Sequence, residues 1–155
     1  MGYGYSDSLQ ISGITELRTR LTAFGEKVIN VVTQEGLDDG AKIFQAEVIQ
    51  NARAIGNDKD HNLKVDGQYI RLKAGNLSKR IRRRKIKKVE AGTKASQVYV
   101  YGKFAWYSKF VEGQENGSSR QAPKPFMRPA FESKQTEAIQ AFENRITQAV
   151  KDGGL

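Results

Sequence analysis

The stretch "QVYVYG", residues 97–102, decides the fold class. Val98 and Val100 alternate with Tyr99 and Tyr101, so an extended backbone puts the valines on one face and the tyrosines on the other. Period two over β-branched and aromatic residues predicts a strand. "AGT", residues 91–93, supplies a turn just before it. The basic segment 82–90 is then the natural antiparallel partner. That partner carries charge on both faces, so it is expected at an edge of the sheet or as a projecting arm, not in the middle.

Around this strand the periodicity is helical. Ile14, Leu17, Leu21, Phe24, Val28 and Val31 step by three or four. Gly36 interrupts the pattern, which resumes at Leu37, Ala41, Phe44, Val48 and Ala52. Two arrangements fit: one long helix bent near Gly36, or two helices with Asp38 or Asp39 at the start of the second. Downstream, "FAWYSKFVEG" (104–113) reads as a short amphipathic helix with Trp106, Tyr107 and Phe110 inward, and "QENGSSRQ" (114–121) as a loop. Phe131, Gln135, Ala138, Phe142, Ile146 and Val150 mark one face of a last helix, closed by Gly153 and Gly154. "VDGQYIRL" (65–72) places an Asp-Gly turn between β-formers and predicts a small hairpin. The expected class is α+β: a long N-terminal helix or helix pair, a small antiparallel β-sheet and a C-terminal amphipathic helix. Residues 1–13, rich in Gly, Ser and Tyr, are expected as a flexible arm ahead of a single domain over 14–155.

The formal charge is +9, and it is unevenly spread. Residues 79–88, "KRIRRRKIKK", hold eight of the 26 basic residues and no acid, leaving 18 basic and 17 acidic residues elsewhere. Lys79, Arg80, Arg82, Arg83, Arg84, Lys85, Lys87 and Lys88 are therefore candidate contacts for the phosphates of double-stranded DNA or for an acidic partner protein. The run itself contains no aromatic residue, so it predicts backbone contact without base stacking.

Chemistry has few footholds. The chain has no cysteine, which excludes disulfides, thiolate metal sites and a cysteine nucleophile. The single histidine, His61, excludes multi-histidine metal sites. Asp58, Asp60 and His61 lie close together in "NDKDH", but in a polar loop that includes Lys59. No phosphate-binding glycine loop and no nucleophile elbow is present. No catalytic residue, cofactor or metal is expected. No apolar run approaches the ~20 residues that cross a bilayer, and the first residues do not read as a signal peptide.

All three prolines, Pro123, Pro125 and Pro129, fall in "APKPFMRPAFE", residues 122–132. Pro123 and Pro125 hold their neighbours extended, and Pro129 suits the first turn of a helix. The segment is thus a stiff connector that fixes the direction of the last helix.

"AWYSKFVEGQENGSSRQAPKPFMRPAFE" also resembles the signature of a family of long-tailed bacteriophage neck or tail-completion proteins, known too as minor tail components or head–tail joining proteins. The matching positions are Tyr107, Phe110, Val111 and Glu112, then Pro125, Phe126, Met127, Arg128, Pro129 and Ala130. Gly75, Leu77 and Ile81 match an element of the N-terminal half. The similarity spans residues 14–150, and 107–131 is its specific part. Two features depart from the pattern: "GQENG" follows Glu112 where the family often has an aromatic and Gly-Thr, and residues 56–75 are longer. The resemblance implies a non-enzymatic virion protein, assembled in the host bacterial cytoplasm as a homo-oligomeric ring, a hexamer by analogy. It also implies contacts with neighbouring connector and tail proteins. Phe126, Met127, Arg128, Glu112 and Arg120 are the expected protein–protein contacts, with the C-terminal helix beside them; for Phe126 the alternative is a place in the chain's own core.

Overall fold

The computed structural model describes residues 6–8, 25–55, 60–65, 67–86, 94–102, 105–119 and 121–152. In chain order the elements are β1 (Ser6–Ser8), α1 (Glu26–Ala54), β2 (His61–Val65), β3 (Gln68–Leu72), a 3-10 turn (Ser78–Arg80), β4 (Ile81–Ile86), β5 (Ala95–Val100), α2 (Ala105–Asn116) and α3 (Met127–Asp152). The class is α+β, as expected.

α1 runs unbroken through Gly36 and Gly40. Of the two arrangements, the single helix is the one adopted, and Asp38 and Asp39 sit in its middle instead of starting a second. The glycines are there because α3 lies against them, antiparallel. A Cβ at position 36 would stand 2.8 Å from the Phe142 ring, and one at 40 would stand 3.0 Å from the Ala138 carbonyl oxygen. Their poor helix propensity is offset by the close approach of the two axes. Leu37, Ala41, Phe44, Val48 and Ala52 form the buried stripe. The stripe does not extend back to Val31, which is 53% exposed. Residues 14–24 lie outside the described segments.

The sheet has the order β1-β5-β4, all antiparallel. β4 and β5 pair from Ile81↔Val100 to Ile86↔Ala95. The basic strand is therefore an edge strand, as its charges required. It is described to Ile86, and residues 87–93 lie outside the described segments. Ile81, Val98 and Val100 face α1, where the Gln34 side chain donates to Ser96 Oγ (3.1 Å) and the Gln45 side chain to the Ile81 carbonyl (3.3 Å). β2 and β3 form a separate hairpin closed by Val65↔Gln68. Gly67 takes φ +83 in its turn, which bears out the Asp-Gly signal.

α2 buries Tyr107 and Val111, with Phe110 half-buried; the Trp106 side chain is outside the described set. It continues through Asn116, so the first residues of the expected loop are helical. Gly117, at φ +79, ends it. α3 starts at Met127, two residues before Pro129. Its buried face steps by four or eight through Ala130, Ala138, Phe142 and Ile146. Gln135, expected on that face, is exposed, while Phe131 stacks on Phe44 with centroids 5.0 Å apart.

Candidate interaction surface

The proline-rich segment is organised by a carboxylate that the sequence reading left in a loop. The first four N–H groups of an α-helix have no partner within it. For α3 these belong to residues 126–129. Glu115 Oε2 accepts from the N–H of Phe126 (2.8 Å) and of Met127 (3.0 Å), and Oε1 from that of Arg128 (2.8 Å). The fourth position is Pro129, which has no N–H to satisfy. One side chain and one proline thus close the whole helix start. Glu115 is 2% exposed, and its charge lies at the positive end of the α3 dipole. Asn51, near the end of α1, donates to the Phe126 carbonyl at 3.2 Å and ties the same point to the helix pair.

This arrangement redistributes the expected contacts. Phe126 and Met127 are 0% and 3% exposed, buried in the chain's own core and not offered to a partner. Of the two readings of Phe126 the core one is adopted, and the expected surface placement of Met127 is corrected: the cap turns the apolar pair inward. Arg128 remains exposed, with its guanidinium donating to Asn116 Oδ1 at 3.3 Å. Glu112 is exposed, and the residue of α2 that caps α3 is Glu115, one turn further on. Arg120 lies outside the described residues.

The strand register divides the cationic run. Arg83 turns toward α1, where its Nε donates to Asp38 Oδ1 (2.7 Å) and Nη1 to Gln45 Oε1 (3.1 Å). Arg80 bonds Asn76 Oδ1 (3.1 Å) and lies over the Tyr107 ring at 4.8 Å. Arg84 bonds Gln97 Oε1 (2.9 Å) and lies over Tyr99 at 4.9 Å. Lys79, Arg82 and Lys85 are exposed. Lys87 and Lys88 lie outside the described residues. Three of the six described cations therefore make bonds within the chain. The aromatic rings that meet two of them come from β5 and α2, which a reading of the run alone could not reveal.

Asp39 and Asp60 are held within the chain. Asp39 takes Arg145 (2.8 Å) and Lys42 (2.6 Å). Burial raises its pKa, but the two cations outweigh that and leave it below the usual carboxylate range. Asp60 accepts from the Ala74 N–H (2.8 Å) and from Arg71, with Arg71 Nη2 at 2.8 Å. These bonds, the backbone one first, lower its pKa. Asp58 and the His61 side chain are not described, and among the described residues no three potential ligands gather as a metal site.

What the geometry defines is a small α+β module with a firmly anchored C-terminal helix and one cationic sheet edge. The chain belongs to the HK97-gp10-like family, described as "Bacteriophage HK97-gp10, putative tail-component", whose family model matches residues 15–113. The match takes in α1, the hairpin, β4, β5 and most of α2; the proline segment and α3 lie beyond it. Searches of curated proteins and of solved structures found no match. The resemblance to phage tail proteins seen in the sequence is thereby borne out at the level of the family. Among the described residues no helix is long and apolar enough to cross a membrane.

Proposed function

We propose that this chain is a structural virion protein that assembles as a homo-oligomeric ring at the head–tail junction, joining or completing the tail without catalysing a reaction. The observation that carries the reading is membership of a family of phage tail components. The anchored start of α3 supports it. A helix held by Glu115, Asn51 and Pro129 presents its outer face in a fixed direction, as a docking part requires. Arg128 and Glu112, both exposed near that start, are the contacts we assign to neighbouring connector or tail proteins. A small DNA-binding protein using 79–88 alone is the weaker reading, because Arg80, Arg83 and Arg84 are committed within the chain.

The test is electron microscopy of lysates from the parent phage carrying an early stop codon in this gene. DNA-filled heads separate from finished tails would establish joining, and tails with abnormal length or ends would establish completion. Normal infectious particles would overturn the proposal.

A further inference from the structure

The net charge of the protein is more localised than the basic run suggests. Residues 60–88 contain eleven basic and two acidic residues, and the rest of the chain balances at fifteen of each. The cationic unit therefore includes the β2–β3 hairpin as well as β4. The register puts Asn62 opposite Arg71 and Lys64 opposite Tyr69, so these four share one face of the hairpin. All four are exposed, Tyr69 at 73%, with Lys64 Nζ 5.7 Å from the centre of its ring. One carboxylate, Asp60, reaches that face at the base of the hairpin, where it is paired with Arg71 at 2.8 Å. On the other face Leu72 is 4% exposed and belongs to the same core as Leu77 and Ile81, which roots the hairpin beside the start of β4. The Asp60 bonds to Arg71 and to the Ala74 N–H clasp its base.

We infer that the hairpin and the outer edge of β4 form one binding face for duplex DNA. A two-stranded ribbon has the width that the major groove admits. Lys64 and Lys73 from the hairpin and its exit, with Lys79, Arg82 and Lys85, are exposed cations that can meet phosphates. They supply what β4 lacks once its other arginines are engaged internally. Lys64, Asn62 and the Tyr69 ring, beside an Arg71 whose charge Asp60 already balances, suit a phosphate backbone better than a protein surface of mixed charge. The binding is independent of base sequence, because exposed cations that meet phosphates carry it. The inference concerns binding by the isolated protein, so its failure leaves the assembly role standing.

The experiment is fluorescence anisotropy of the full chain with a short mixed-sequence duplex, from about 50 to about 200 mM salt. A Lys64→Gln/Lys73→Gln variant is compared with a Lys109→Gln/Lys151→Gln variant, which removes the same charge from exposed sites on α2 and α3. The hairpin variant should bind about tenfold more weakly, with a log–log salt slope shallower by about 2, while the other variant stays near wild type. Equal behaviour of the two variants, or no duplex binding at the lower salt, would overturn the inference. So would equally tight binding of polyglutamate of matched charge, which would point to an acidic protein partner.

Discussion

Glu112 and Glu115 are three residues apart, on one helix, yet only the second is buried. Its three N–H bonds make it the side chain on which the start of α3 depends. Glu115→Ala leaves three donors without a partner in a dry site and should lower stability by about 3 kcal/mol or more, read by urea denaturation. Glu115→Gln keeps an acceptor oxygen but sets an amide against a donor, and should cost about 1–2 kcal/mol. Glu112→Ala should stay within about 0.5 kcal/mol. The sequence did not disclose this residue because Asn116 and Gly117 place it in a stretch that reads as loop, and a carboxylate in a loop is unremarkable. The signal that could have found it was the pairing of a glutamate with a helix start whose fourth N–H is deleted by Pro129. Tyr107 makes a second prediction at this scale. Burial pushes its hydroxyl up to about 12, against the opposing charge of Arg80. The folded pKa lies above the unfolded value near 10, so the stabilisation is full below about pH 10 and is lost as pH rises toward 12, by about 3 kcal/mol. Tyr107→Phe should remove that alkaline loss, measured as the difference in unfolding free energy between about pH 9 and about pH 11. An unchanged pH dependence in the variant would show that another group is responsible.

At the scale of elements, the contact between α1 and α3 rests on Gly36 and Gly40. The two positions differ in what a methyl group would meet. At Gly36 the nearest atom belongs to the Phe142 ring, which can rotate or shift; at Gly40 it is the Ala138 backbone oxygen, which can move only with its helix. Alanine gains about 1 kcal/mol in helix propensity at either site. At Gly40 the overpacking should exceed that gain and leave a net loss of about 1–2 kcal/mol, while Gly36→Ala should be closer to neutral. Thermal unfolding of the two variants distinguishes them, and a stabilised Gly40→Ala protein would refute the account. The same pair shows what was legible in the sequence. Apolar spacing on both sides of Gly36 announced helix, and "QVYVYG" and the Asp-Gly turn announced β-structure. Whether the glycine broke the helix or admitted a neighbour depended on Ala138 and Phe142, about a hundred residues away. Asp38 and Asp39 were ambiguous for the same reason: an acidic pair suits a helix start, and only Arg83 and Arg145 show it serving two ion pairs from mid-helix.

For the whole molecule, the consequence is a separation between residues that hold the fold and residues free to assemble. The "PFMRPA" segment looked like one contact surface because its residues are adjacent in sequence. Helix geometry splits it: Phe126, Met127 and Ala130 go into the core, and Arg128 goes to solvent. The cationic run divides in the same way, by strand alternation. A Phe126→Ala variant would therefore lose about 3–5 kcal/mol in the monomer, and any failure to build particles would report unfolding, not a lost contact. Arg128→Glu is the informative substitution. Its backbone N–H still reaches Glu115, and among the described residues the side-chain bond it forfeits is the one to Asn116 at an exposed site. The purified variant should unfold within about 0.5 kcal/mol of wild type. Supplied in trans to the stop-codon phage, it should still yield at least tenfold fewer infectious particles, because a reversed charge at a docking surface repels the group that the arginine attracted. Full rescue by a normally folded Arg128→Glu protein would move the assembly contact away from the start of α3, leaving the outer face of that helix farther along, or the cationic hairpin and β4, to carry it.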